Sequence, residues 1–142
     1  MTSMWYIVFF AIIICILMAL RLLFFPDRFK FKQVSFENFA FLGCTYAVIM
    51  IGFGLLFLML EMRGWSVIVD STTGENPDWN QRLTTALYLS AITLFSVGYG
   101  DVVPIGIGRL LVMLEALIGY TIPAAFVVRS FIDYEPERRK KG

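Results

Sequence analysis

The sequence predicts an all-α membrane protein. Three transmembrane helices are expected, with a shorter helix re-entering the bilayer between the second and the third. Three observations predict it. The first is composition: of 142 residues, 58% are hydrophobic and only 16% charged, against roughly 25% charged in a typical soluble domain. The mean hydropathy is +0.75. A soluble fold of this size exposes too much surface to hide so large an apolar share, and the same numbers exclude disorder. The second is the presence of three apolar runs, Met4 to Phe25, Phe39 to Leu60 and Gly106 to Val128, each long enough for a bilayer core that needs about 20 residues. The third is a run from Leu83 to Phe95 of 13 residues. It is too short to span, so protein rather than lipid has to shelter it.

The first span, with the linker that follows, occupies residues 1–38. Its single Arg21 reads as a side chain snorkelling to the interface, whereas a voltage sensor needs several arginines in series. No basic stretch precedes it and no small-x-small cleavage site follows it, so it is expected as a retained span rather than a signal peptide. In the linker, Phe29-Lys30-Phe31-Lys32 mixes aromatics and bases, with Val34, Phe36 and Phe39 beyond. Two readings stay open: a segment lying in the interface against anionic lipid of the inner leaflet, or a plain loop with interfacial aromatics. The second span carries no charge. Cys15 and Cys44 both fall inside apolar runs and are expected as buried small hydrophobes rather than as a disulfide framework.

Beyond the second span, Gly74-Glu75-Asn76-Pro77 is a turn signal. Asp78 followed by Gln81 resembles a capping box, which starts a helix near Asp78. That helix is expected to run to about Phe95, where glycines and a proline take over. The third span carries Arg109 and Glu115, and residues 133–142 form a short basic tail. Nine of the 12 Lys and Arg residues fall on the side of the linker and the tail. The positive-inside rule then places the N-terminus outside and the C-terminus in the cytoplasm, with the stretch from Glu61 to Gly108 outside. Histidine is absent and the net charge is +1. This excludes His-dependent triads and His-based zinc sites, and it argues against a nucleic-acid partner.

The segment from Thr93 to Asp101 carries the function. Non-helical backbone between two spans leaves carbonyls without partners, and several chains around one axis can point them at a central cation. Gly98 and Gly100 suit this, because they adopt positive φ without strain and let consecutive carbonyls face one way. The side chains of Val97 and Tyr99 are then expected to turn outward into packing. The Ser96 hydroxyl adds one oxygen at the inner end, and the preceding helix aims its negative end at the pore.

Ser96-Val97-Gly98-Tyr99-Gly100-Asp101 resembles the selectivity-filter signature of potassium channels. The likeness extends over a span, a pore helix, the filter and a second span, from about Phe39 to Phe131. Gly108-Arg109-Leu110 and Gly119 look like the inner-helix start and hinge glycine of simple prokaryotic members. The resemblance implies a pore domain over residues 39–132 and a four-fold symmetric homotetramer in the plasma membrane, carrying potassium ions with no catalytic residue. It implies coordination by Ser96, Val97, Gly98 and Tyr99, with Gly100, Asp101 and Tyr88 in support. Tyr88 is expected to reach Asp101 from the pore helix, as an aromatic does in relatives. Two departures stand out. Ser96 replaces the usual Thr, and Ile92 stands where many prokaryotic members carry Glu.

Glu115, Gly119 and Pro123 are the gating candidates. Gly119 and Pro123 are either a hinge or tolerated interruptions of a membrane helix. Glu115 is either a hydrogen-bonding partner of the pore helix at a subunit contact, the favoured reading, or a protonation sensor. Gly98-Tyr99-Gly100-Asp101 also fits the G-x-G-D pattern of intramembrane aspartyl proteases. That chemistry needs a second intramembrane Asp, and Asp27, Asp70, Asp78 and Asp133 all lie outside the spans. A less selective cation channel, a pore-loop subunit of a potassium transporter and a non-conducting accessory subunit are the remaining alternatives.

Overall fold

The computed structural model describes residues 2–24, 36–71, 74 and 77–139. Its elements in chain order are α1 (Thr2–Phe24), α2 (Phe36–Met62), β1 (Ile68–Asp70), α3 (Trp79–Leu94), β2 (Val102–Pro104) and α4 (Gly108–Arg139). Among the described residues, α1, α2 and α4 are long and apolar enough to cross a membrane. α3, with 16 residues, is not. The all-α membrane architecture is therefore observed, with a re-entrant helix between the second and third spans. α4 continues to Arg139, so helical backbone runs into the segment expected as a tail. The expected interfacial segment Phe29–Lys32 lies outside the described residues, as do Glu75 and Asn76 of the turn and residues 140–142 of the tail.

α3 sits at the centre, packed against both α2 and α4. Ile49, Phe53, Leu56 and Phe57 of α2 close on Ala86, Leu89, Ile92 and Leu94 of α3, with Ile122 of α4 completing the cluster. Ala86, Leu89 and Ile92 recur at the three-residue spacing of one helix face and Leu94 lies on another, which is why so short a helix can be buried between two spans. α1 lies on the flank of α2. Ile16 is its buried contact, seated where a Cβ on Gly52 would fall 2.7 Å from Ile16 Cγ1. Most other large side chains of α1, among them Ile7, Phe10, Ile14 and Leu17, are exposed. This is the surface of a helix whose solvent is lipid.

Two expectations need correction. Cys15 and Cys44 are exposed on the chain, not buried; an apolar run inside a membrane is as compatible with acyl chains as with a protein core. The fold also contains a two-stranded antiparallel ladder that the sequence did not announce. It pairs Ile68 with Pro104, Val69 with Val103 and Asp70 with Val102. Three-residue strands are too short for a period-two pattern to register. The ladder joins the middle of the α2–α3 loop to the chain leaving residue 101, so the segment that follows α3 is anchored at its far end as well.

Candidate functional site

The segment 95–101 is set by how α3 begins and ends. At its start the Asp78 N–H donates to Gln81 Oε1 at 2.9 Å, as the capping box predicted. At its end the Ser96 N–H donates to the Thr93 carbonyl at 3.0 Å and the Val97 N–H to the Ile92 carbonyl at 2.8 Å. With Phe95 as C-cap, these two bonds make a Schellman motif, which requires a left-handed residue immediately after the cap. That residue is Ser96, with φ of 56°. Gly98 and Gly100 follow with φ of 58° and 80°. Positive φ thus recurs at every second residue. Among the described residues Ser96 is the only non-glycine with positive φ, so Val97 and Tyr99 between them keep the ordinary sign. An extended strand would alternate its carbonyls side to side. Alternating the sign of φ instead is what a one-sided row of carbonyls requires. The sequence pointed to the glycines but not to Ser96, because the usual flag for a left-handed helix end is glycine itself.

Val97 is 50% and Tyr99 76% exposed on the single chain, so nothing within this chain provides the packing expected for them. Exposed apolar side chains continue along α4 at Leu110, Met113, Leu114, Leu117 and Tyr120. They share one face, since their spacing follows the helical repeat.

Polar contacts brace the outer side of the segment. The Tyr88 hydroxyl donates to Asp101 Oδ2 at 2.8 Å, which brings together two of the expected support residues. That bond to a carboxylate raises the Tyr88 phenol above its ordinary range, so it remains a donor. The Asp101 carbonyl accepts from the Ser71 N–H at 3.2 Å and from the Ser71 hydroxyl at 2.8 Å. Glu61, at the end of α2, accepts from the Val67 and Ile68 N–H groups at 3.3 and 3.1 Å, and Thr85 donates to Asp70 Oδ2 at 3.0 Å. Ser71 and Glu61 were not singled out from sequence, since their partners are backbone groups of a loop.

The inner side is apolar, with two polar ties. Glu115 of α4 is fully buried and bonded to the Ser90 hydroxyl of α3; Ser90 Oγ also lies 2.8 Å from the Met50 carbonyl of α2. The contact with the pore helix is the favoured reading of Glu115, but it forms within one chain rather than between subunits. Gly119 meets the other end of α3. A Cβ there would lie 2.1 Å from the Leu94 carbonyl oxygen. Close backbone approach therefore requires glycine at this position, a reason that neither the hinge nor the tolerated-interruption reading supplied. The second tie is Tyr46 of α2, absent from the expected site residues. Its hydroxyl donates to the Gly119 carbonyl at 2.8 Å, and its ring stacks on Phe95 with centroids 5.6 Å apart. These residues border an apolar cavity of about 820 Å³ that also reaches Phe39, Gly43 and Pro123.

A family model described as ion channel matches residues 45–134. The chain belongs to the ion channel family. The matched stretch takes in most of α2, all of α3, the 95–101 segment and α4 as far as Tyr134, and it leaves α1 outside. Outside the family model, the chain is 38% identical over 103 residues to protein LctB of Bacillus caldotenax, which covers 72% of this chain and 77% of that protein. It is also 38% identical over 101 residues to protein LctB of Geobacillus stearothermophilus, covering 71% and 75% respectively. No solved structure matches the chain. Membership of an ion channel family points to a non-enzymatic transport role, and the three apolar helices suit a membrane protein. In this channel the segment between pore helix and inner helix is held from above by Asp101 and from below by Leu94.

Proposed function

We propose that the chain is a potassium-selective channel subunit that conducts passively along the carbonyls of Ser96, Val97, Gly98 and Tyr99, with the Ser96 hydroxyl adding an oxygen at the inner end. The observation that carries this reading is the alternation of positive φ at residues 96, 98 and 100 directly after a capped pore helix. It suits a one-sided file of backbone oxygens that replaces a cation's hydration shell. Gly100, Asp101 and Tyr88 support the file from its outer end. The pore is built by four copies around one axis, since one chain cannot enclose it. The exposed Val97, Tyr99 and outward face of α4 supply apolar surface for neighbouring copies and for the pore wall. The subunit lies in the plasma membrane with its N-terminus outside and its basic C-terminus in the cytoplasm.

The test is flux from the purified full chain in liposomes, with potassium and sodium gradients compared. Potassium flux well above sodium flux is expected. Equal flux of the two ions supports the less selective cation channel instead, and no flux supports the accessory subunit.

A further inference from the structure

The Tyr46 hydroxyl and Pro123 answer one another. In an α-helix the carbonyl of residue i accepts from the N–H of residue i+4. The partner of the Gly119 carbonyl would be the N–H of residue 123, and residue 123 is proline, which has none. α4 is helical throughout this stretch, so its ladder lacks one bond at this point. The missing donor comes from another helix: the Tyr46 hydroxyl of α2 lies 2.8 Å from the Gly119 oxygen, and the bond is buried.

The same turn of α4 is weakened twice more. Gly119 has the poorest helix propensity of any residue but proline. The Thr121 hydroxyl donates back to the Leu117 carbonyl at 2.8 Å and to that of Ile118 at 3.2 Å, a pattern that bends helices. Tyr46 therefore holds α4 where it yields most readily. Through its ring the same residue stacks on Phe95, next to Ser96, and the Leu94 carbonyl presses on Gly119.

We propose that Tyr46 is a positioning residue for gating: its hydroxyl takes the place of the Pro123 N–H, latches α4 to α2 at this turn, and ties that turn to the residue that precedes the filter. A bend of α4 at this turn that carries the Gly119 carbonyl away from Tyr46 takes from it the donor that replaces the Pro123 N–H. The latch thus favours the arrangement of α4 seen in this structure. This rests on the reading of residues 96–101 as the conduction path.

A double-mutant cycle tests it on the full chain in planar bilayers. Tyr46→Phe keeps the ring and its stack on Phe95 and removes only the donor. Its opening equilibrium is expected to shift by roughly fivefold, the scale of one buried hydrogen bond, with the potassium-to-sodium flux ratio unchanged. Pro123→Ala restores an N–H at residue 123, so in that background Tyr46→Phe is expected to have no effect on opening. Thermal unfolding of the same four proteins is expected to follow the same pattern: Tyr46→Phe lowers the midpoint in the parent chain and not in Pro123→Ala. An equal effect of Tyr46→Phe in both backgrounds, or none in the parent, overturns the latch. Absence of selective flux in the parent chain overturns the channel reading instead. In that case the unfolding cycle still decides whether Tyr46 substitutes for the missing N–H.

Discussion

The two sides of the pore helix are held in different ways. On the outer side the contacts are polar, local and partly duplicated. Asp101 is fixed by Tyr88 through its carboxylate and by Ser71 through its backbone, Glu61 accepts two loop amides, and the β1–β2 ladder runs alongside. On the inner side the contacts are few and buried: Glu115 on Ser90, Tyr46 on Gly119, and the bare approach of the Leu94 carbonyl to Gly119. An exposed hydrogen bond can be replaced by water, whereas a buried polar atom that loses its partner carries the full desolvation cost. Single substitutions on the inner side should therefore be several times more damaging than those on the outer side.

Gly119→Ala should break that contrast most severely. The added methyl would stand 2.1 Å from the Leu94 oxygen, and neither backbone can retreat without moving the end of α3 from which the segment 95–101 starts. Overpacking of this kind costs about 1–3 kcal/mol. A lowered unfolding midpoint should come with an altered potassium-to-sodium flux ratio, which a hinge acting on gating alone would leave intact. Gly43→Ala is the matched control, because nothing lies within 4 Å of a Cβ built there. It should be neutral, or more stable by up to about 1 kcal/mol through helix propensity.

Glu115 ranks next. Glu115→Ala removes one of the two partners of the Ser90 hydroxyl, leaving it the Met50 carbonyl, and opens a void at a fully buried position, an effect expected at about 2–4 kcal/mol in unfolding. Glu115→Gln keeps shape and hydrogen bonding and should stay within about 1 kcal/mol of the parent. If Glu115 is a tie between helices, Glu115→Gln should open with the same pH response as the parent. A response lost in Glu115→Gln makes it a sensor.

These inner contacts also mark where the sequence stopped being informative. The spans, the short helix and its start at Asp78 follow from apolar run length and a local capping pattern, and all were legible. The likeness of Ser96–Asp101 to a filter, and with it the reach of Tyr88 to Asp101, came from a contiguous motif. Tyr46 was not legible. Its significance depends on a carbonyl 73 residues away, orphaned by a proline four residues further on, and no periodicity in α2 distinguishes it. Gly119 was noticed for its flexibility, whereas its fixed role is to leave room for a backbone that the sequence does not place. The left-handed conformation of Ser96 was hidden for a related reason, since it belongs to the helix end and not to the residue type.

The smallest effect is expected at the outer side, from Tyr88→Phe. It removes one partly exposed hydrogen bond from Asp101, which water can replace, while Ser71 keeps its hold on the Asp101 backbone. Unfolding should barely change. The readout is the rate at which conduction fails during sustained opening, which should rise modestly in Tyr88→Phe and more in Asp101→Asn, where the carboxylate itself is lost. The bond also sets a pH dependence with a definite sign. Because Asp101 raises the Tyr88 pKa above the ordinary 10.0, the folded state favours the neutral phenol. Its stabilisation is whole below that ordinary value and disappears as pH climbs through the raised one, where a phenolate would face a carboxylate. Conduction in the parent channel should therefore fail faster only at strongly alkaline pH, and Tyr88→Phe should lack that alkaline limb. A parent channel whose rate of failure is the same at neutral and strongly alkaline pH would show that the outer brace does not depend on Tyr88 as a donor, and would leave Ser71 and the strand ladder to hold Asp101.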